Sequence, residues 1–245
     1  MGKEHCSHMS EKSMTLASKS DLCAAPTPGD APARWEEDGC DQQLLERSRR
    51  IVEAAYELLE DEGLEGLTIR AVLKKTGLAR RAFYERFAGK DDLMLAVFEQ
   101  TIRLAANHYA EQVRPLPDPM RRLQLIITSI SLGTSTLDRV DAQQATRRAA
   151  AMSREHLRLA ESRPDDLQAA LSPLMTLIAQ QLSDGMEAGL VRECAPERLA
   201  TLVYNLVSTT VHAELLAQET VRPDREHQLG LAAEVWEFCR RAIAA

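Results

Sequence analysis

The chain has 245 residues, of which 44% are apolar and 27% are charged, a balance typical of soluble globular proteins. Aromatic residues make up 4%, and 11 glycines and 10 prolines are few for this length, which argues against the frequent turns of a β-sandwich or barrel. The formal net charge of −7 by itself argues against a nucleic-acid partner.

Residues 1–43 are predicted to form a disordered tail. Of the residue types Leu, Ile, Val and Phe, this segment contains only Leu16 and Leu22. It therefore cannot bury enough apolar surface to offset the loss of chain entropy on folding. No apolar run follows Met1, so we expect no signal peptide, and the longest stretch without a charged residue, 167–183, contains too many polar residues for a transmembrane helix. Five cysteines without a CxxC pair fit a reducing compartment, and we expect the protein in the cytoplasm.

From residue 44 onward, apolar residues recur at helical spacing. The first predicted helix covers about 44–62 and ends at Gly63. A second begins at Thr68, whose hydroxyl is a good N-cap, and a third covers about 79–86 after a turn at Gly77. Further helices are predicted at about 91–113, 119–136, 139–162, 165–188, 196–218 and 224–244. The sequence therefore predicts an all-α protein.

Residues 68–90 form a compact basic segment, in which seven basic residues and one acidic residue give a net charge of +6. Two short helices joined by a glycine-containing turn are typical of a helix-turn-helix, whose second helix enters the major groove of DNA. We expect Arg80 and Arg81 to reach base edges, since arginine pairs with guanine, and Tyr84 and Lys90 to contact phosphates. The predicted DNA-binding residues are Thr68, Arg80, Arg81, Tyr84, Arg86 and Lys90.

This segment resembles the TetR family of bacterial transcriptional regulators over residues 44–92. The matching features are Thr68, Gly77, the Phe83-Tyr84 pair, Phe87, Lys90 with an acidic residue after it, and Leu93. The chain departs from the family at Ala79 and Ala82, where a hydroxyl residue usually lies near phosphate, and the neighbouring arginines are expected to take over that contact. The resemblance implies a three-helix DNA-binding head, residues 44–92, followed by a body, residues 93–245, for effector binding and dimerisation.

The function that the resemblance implies is a repressor that leaves a palindromic double-stranded operator when a small, largely apolar effector binds. A DNA-binding regulator that lacks such a ligand and is switched by a protein partner is one alternative, and an α-helical enzyme with a vestigial helix-turn-helix is another. The chain has no GxSxG, HExxH, Walker or GxGxxG motif, so we expect no catalytic activity, no cofactor and no metal site. Because residues 91–113 alone connect head and body along the chain, we expect the coupling to run through that helix.

Polar side chains and methionines on the body helices are candidates for effector contacts. Asn205, Thr209 and His212 share one otherwise apolar helix, although a satisfied core group or a dimer hydrogen bond also accounts for them. The candidate effector-binding residues are His108, Met152, His156, Met175, Asn205, Thr209 and His212. The resemblance implies a homodimer whose interface is formed by the last two helices. In this sequence, both of these helices carry more apolar surface than a single neighbouring helix can cover. The candidate dimerisation residues are Leu202, Leu206, Leu216, Leu231, Val235 and Phe238.

Overall fold

A computed structural model describes residues 42–133, 142–218 and 224–245, with the side chains of all of these except residues 60, 142–148 and 216–218. The predicted tail, residues 1–43, lies outside the described residues apart from its last two positions. Within the described ranges the chain forms α1 (Gln42–Gly66), α2 (Ile69–Thr76), α3 (Arg80–Tyr84), α4 (Lys90–Val113), α5 (Pro119–Leu132), α6 (Ala142–Ser162), α7 (Pro164–Glu187), α8 (Pro196–Gln218) and α9 (Arg225–Ile243). The prediction of an all-α protein is confirmed.

Several helix ends differ from the sequence-based boundaries, including that of α3, which ends at Tyr84 instead of about residue 86, and two of the differences lie at glycines. The first helix is interrupted at Gly63, as expected, but hydrogen bonding resumes beyond that kink and extends α1 to Gly66. Helix α5 stops at Leu132, earlier than the predicted residue 136, because Gly133 takes a left-handed φ of 69° and turns the chain away. Both of these differences arise where a glycine changes the direction of the chain, and the spacing of apolar residues does not predict such a change.

The head is held together by a buried cluster of side chains from α1, α2, α3 and the first turns of α4. Phe83 of α3 lies at its centre and is completely buried. Its ring packs against Phe87, with 5.5 Å between ring centroids. Val72 of α2 and Leu93 of α4 are also fully buried there. Helix α3 is therefore fixed to the head through its inward face.

A second buried cluster forms the body. It combines the later turns of α4 with α5, α7, α8 and α9. Helix α7 packs along both α4 and α8, and α9 packs along α5. Within the described ranges, no helix combines the length and apolar composition needed to cross a membrane.

Helix α6 contacts both clusters. Its Ala151 is buried in the head cluster, its Leu159 is buried in the body cluster, and Met152 packs against both. The head and body are thus connected through packing on α6 as well as through the chain of α4. The expectation that coupling depends on α4 alone is therefore incomplete, because sequence connectivity does not reveal a tertiary contact.

Candidate functional site

Helix α2 and the turn that follows it are fixed by a cap at each end of the helix and by one hydrogen bond from α1. The Thr68 hydroxyl accepts a hydrogen bond from the Ala71 backbone N–H at 3.1 Å, which confirms Thr68 as the N-cap of α2. At the other end of α2, Gly77 has a φ of 67°, a left-handed conformation that favours glycine. The Arg50 guanidinium donates to the Thr76 carbonyl at 2.8 Å and ties α1 to this turn. These contacts set the angle at which α3 leaves α2.

The outward face of α3 presents two arginines in different states. The guanidinium of Arg80 lies over the Tyr84 ring, 5.4 Å from its centroid, and donates to the Tyr84 hydroxyl at 3.2 Å. The Arg81 side chain is 90% exposed and reaches Glu85, with 3.0 Å between Nε and Oε1. Ala79 precedes the helix in an extended conformation and provides no side-chain cap. Tyr84 therefore orients Arg80, whereas Arg81 projects into solvent.

The remaining cations of the basic segment are not equivalent. Lys75 lies 2.8 Å from a carboxylate oxygen of Glu57, and this hydrogen bond raises the pKa of Lys75. Its charge is therefore largely compensated by α1, so the outward surface carries less than the +6 of the segment. The exposed Lys90 ammonium lies 3.5 Å from the Leu64 carbonyl, and Arg86 is half-buried after the end of α3.

The body contains a cavity of about 210 Å³ between α4, α6 and α8. Four of the predicted effector residues line it, namely Met152, His156, Thr209 and His212. The other described lining residues are Phe98, Thr101, Ile102, Ala105, Tyr109, Ile130, Gly133, Ala149, Ser153, Leu157, Leu174, Tyr204, Ser208, Val211 and Leu215. Most of this wall is apolar, which fits the predicted class of effector.

Four hydrogen-bonding side chains in this wall form a polar cluster: Ser153, His156, Tyr204 and His212. The Ser153 hydroxyl lies 2.6 Å from Nδ1 of His212, and the Tyr204 hydroxyl lies 3.3 Å from Nδ1 of His156. The rings of His156 and Tyr204 are stacked, with an interplanar angle of 14°. Burial, and next the nearby His212, lower the pKa of His156, while burial raises the pKa of Tyr204. At neutral pH, His156 is therefore uncharged and the Tyr204 hydroxyl keeps its proton.

The other predicted effector residues lie elsewhere. Met175 and Asn205 line an outer groove of about 500 Å³, which shares His156 and Tyr204 with the cavity. His108 lines neither space, and its buried Nε2 has no hydrogen-bond partner among the described residues. Tyr204 faces the cavity instead of Asn205, since consecutive helical residues point about 100° apart. Its spacing of eight residues leaves it about 80° from His212 around the helix, whereas Asn205, seven residues away, is about 20° from His212, so helical spacing alone does not single out Tyr204.

Acidic side chains at the start of α4 form ion pairs with basic side chains of the body. The Asp92 carboxylate accepts from Ala88 N–H at 3.0 Å and pairs with the Arg163 guanidinium at 2.7 Å. The neighbouring Asp91 lies 3.7 Å from the guanidinium of Arg158. We call Asp91, Asp92, Arg158 and Arg163 the head–body latch. It connects the turn after α3 to α6 and to the start of α7.

The predicted dimerisation residues separate into exposed and buried positions. The side chains of Leu202, Leu206 and Phe238 are exposed, by 58%, 37% and 62% respectively. Leu231 packs partly against the body core, and Val235, only 8% exposed, belongs to that core and is not available to a second subunit. The Leu216 side chain lies outside the described residues.

Comparison with known proteins identifies the head. Residues 51–97 match the model for bacterial regulatory proteins of the tetR family. An HTH-type transcriptional regulator of Staphylococcus aureus (strain USA300) is 27% identical over 66 residues, which are 27% of this chain and 36% of the relative. The matched part of this chain thus spans about a third of that relative's length.

Solved structures resemble the chain over a longer stretch. A TetR-family transcriptional regulator from Pectobacterium atrosepticum superposes with a TM-score of 0.65 at 16% identity, covering 84% of this chain and 98% of that one. The transcriptional regulator FadR from Bacillus subtilis, in complex with stearoyl-CoA, superposes with a TM-score of 0.59 at 16% identity, covering 80% and 98%. These likenesses extend the shared fold from the head into the body. Over residues 51–97, the head is therefore similar to bacterial regulatory proteins of the tetR family.

Proposed function

We propose that this protein is a DNA-binding transcriptional regulator that acts in the bacterial cytoplasm and represses its target genes. The observation that carries the proposal is the outward face of α3, where Arg80 is oriented by Tyr84 and Arg81 is 90% exposed. Arginine at the start of a recognition helix donates two hydrogen bonds to guanine in the major groove. Glu85, which holds Arg81 in the free protein, is exchanged for a base edge on binding.

We expect Arg81→Ala to weaken operator binding by about 1–3 kcal/mol and to relax the preference at one base position, because it removes a base contact. Lys90→Ala should weaken binding to all sequences alike and lower the slope of affinity against salt by about one unit, because it removes a phosphate contact. Titrations of operator and random duplexes at several salt concentrations measure both effects.

Lys75→Ala is the matched control for Lys90→Ala, because Lys75 is already paired with Glu57. It should leave the salt slope close to that of the unmodified protein. An equal loss of affinity on operator and random DNA for Arg81→Ala would contradict its role in reading bases.

The regulated form is a homodimer switched by a small, largely apolar molecule. The exposed apolar positions Leu202, Leu206 and Phe238 support a second subunit, and the cavity supports an effector. The similarly folded FadR from Bacillus subtilis was solved with stearoyl-CoA, which supports an apolar ligand for a body of this architecture. The cavity favours this function over a switch operated by a protein partner.

Coupling between effector and DNA runs through α6 as well as α4. Met152, Ser153 and His156 of α6 line the cavity, and Ala151 of the same helix is buried in the head. The latch then connects the end of α6 to Asp92, which caps the turn after α3. A ligand that favours a different position of α6 therefore shifts the head without any contact to it.

We expect operator and effector to weaken each other's binding by the same factor, about 5–150-fold, as linkage requires. Arg163→Gln should reduce this factor, because it breaks the ion pair with Asp92. The affinity for operator alone and the affinity for effector alone should change little, because the pair lies outside both the DNA-binding surface and the cavity. Arg241→Gln, which breaks an exposed pair with Glu237 on α9, is the control. Effector titrations with and without operator give the factor. An unchanged factor in Arg163→Gln would mean that the latch does not couple the sites.

A further inference from the structure

The polar cluster gives one part of the cavity wall an unusual chemistry for an apolar site. Ser153 and Tyr204 contribute hydroxyls, and His156 and His212 contribute imidazoles that interact electrostatically with each other. Each of the four residues has a group that donates a hydrogen bond. A set of donors that is buried at Tyr204 and half-buried at Ser153, His156 and His212 matches a ligand group that only accepts hydrogen bonds.

The described residues that line the cavity around this cluster include groups that can become positively charged but no carboxylate. None of the described residues that line the cavity is Asp, Glu, Lys or Arg. The titratable groups facing His156 are Tyr204 and His212 from α8 and Tyr109 from α4, whereas α7 contributes the apolar Leu174. Glu197 lines only the outer groove on the far side of His156. Among the described lining residues, two imidazoles thus share the cavity without a carboxylate that would compensate their protonation.

We propose that the cavity binds a small apolar carboxylic acid whose carboxylate lies between His156 and His212 and accepts hydrogen bonds from the Ser153 and Tyr204 hydroxyls. The inference rests on the effector-regulated function proposed above and specifies the effector's chemical class. A carboxylate supplies the missing negative charge, and hydrogen bonds to a charged acceptor are stronger than those to a neutral one. The volume of about 210 Å³ is below the ~300–1,000 Å³ of drug-sized sites, which limits the acid's size.

Binding of an anion here has a defined dependence on pH. A bound carboxylate raises the pKa of the adjacent His156, so the complex takes up a proton as it forms. The added affinity is fully present below the histidine pKa of the empty site and is lost as pH rises through the histidine pKa of the complex. The lowered pKa of His156 in the empty cavity widens this window.

Isothermal titration of the full-length protein without DNA tests the proposal with two skeletons, octanoic acid and phenylbutanoic acid, each compared with its own amide. At about pH 6.5, near the ordinary histidine pKa, we expect at least one acid to bind about tenfold or more tightly than its amide. The advantage should shrink by up to about tenfold per unit as pH rises. Titrations in buffers of different ionisation enthalpy should show proton uptake for the acid and none for the amide.

His212→Gln should remove most of the acid's advantage and leave amide binding little changed. His227→Gln is the matched control, because His227 pairs with Glu214 on the surface and does not line the cavity. Where His212→Gln alters the thermal unfolding midpoint, Ser153→Ala replaces it, since it removes one donor and leaves both imidazoles.

Acid and amide of equal affinity on both skeletons, an acid advantage that survives His212→Gln and Ser153→Ala, or no binding of either acid would each overturn the proposal. None of these results would affect DNA binding by the head, which is measured separately. Loss of operator binding in the unmodified protein would instead overturn the proposed regulatory function and leave the ligand titrations intact.

Discussion

Replacing Phe83 by alanine is expected to lower the free energy of unfolding by about 3–5 kcal/mol, the cost of truncating a fully buried aromatic side chain. Phe83 is 0% exposed and contacts the Phe87 ring within the head cluster. Because it is also the residue that anchors α3, operator binding should be lost together with the head. Urea denaturation at a fixed protein concentration measures the change.

Tyr84→Ala, at the adjacent position, is the control, and we expect it to weaken operator binding with little loss of stability. Tyr84 is 45% exposed, so its truncation should cost less than about 1.5 kcal/mol of stability, including its edge contact with Phe83. It should nevertheless weaken operator binding, because the ring orients Arg80. Phe83→Leu should cost less than about 1.5 kcal/mol and preserve binding. Equal destabilisation by Phe83→Ala and Tyr84→Ala would contradict the assignment of inward and outward faces.

Introducing glutamate at both Leu202 and Phe238 is expected to convert the proposed homodimer into monomers. These side chains are 58% and 62% exposed in the isolated protomer, so the substitutions place charge on its surface and not in its core. A symmetric interface of about 2,000 Å² cannot accommodate two desolvated carboxylates per subunit. Operator affinity should fall by at least about 100-fold, because two linked heads bind far more tightly than one. Light scattering at micromolar concentration and operator titration measure these effects.

Leu229→Glu is the matched control for the dimer. Leu229 is 49% exposed on α9, nine residues before Phe238 and therefore on the opposite side of the helix. This variant should remain dimeric and bind the operator normally. A monomeric unmodified protein, or a dimer that persists in the Leu202 and Phe238 double variant, would contradict the proposed interface.

The local features of the head were predictable from residue types alone. Thr68 caps α2, Gly77 takes a left-handed conformation, Ala79 leaves α3 without a side-chain cap, and Phe83 is buried. Each depends on interactions within a few residues, which spacing and propensity report directly. The compensation of Lys75 by Glu57 was not predictable, because the partners lie on different helices and meet only after folding.

The body shows where periodicity stops being informative. Val235 and Phe238 lie on similar faces of α9, yet one is buried in the protomer and the other is exposed, because the neighbouring helix covers only part of that face. In the sequence, Arg163 lies between two predicted helices and precedes a proline, which gives no indication of a partner. In the structure, it pairs with Asp92 across the head–body contact. Apolar spacing indicates which side of a helix is buried but not which element covers it.

Selection of bound sites from a pool of random duplex DNA tests the central claim most directly. At salt concentrations between about 50 and 200 mM, the unmodified protein should enrich an inverted repeat whose half-sites match two symmetry-related heads. Arg81→Ala should enrich the same repeat with one base position per half-site relaxed. Enrichment of no sequence, or equal binding of all sequences across this salt range, would contradict the conclusion that the head reads an operator.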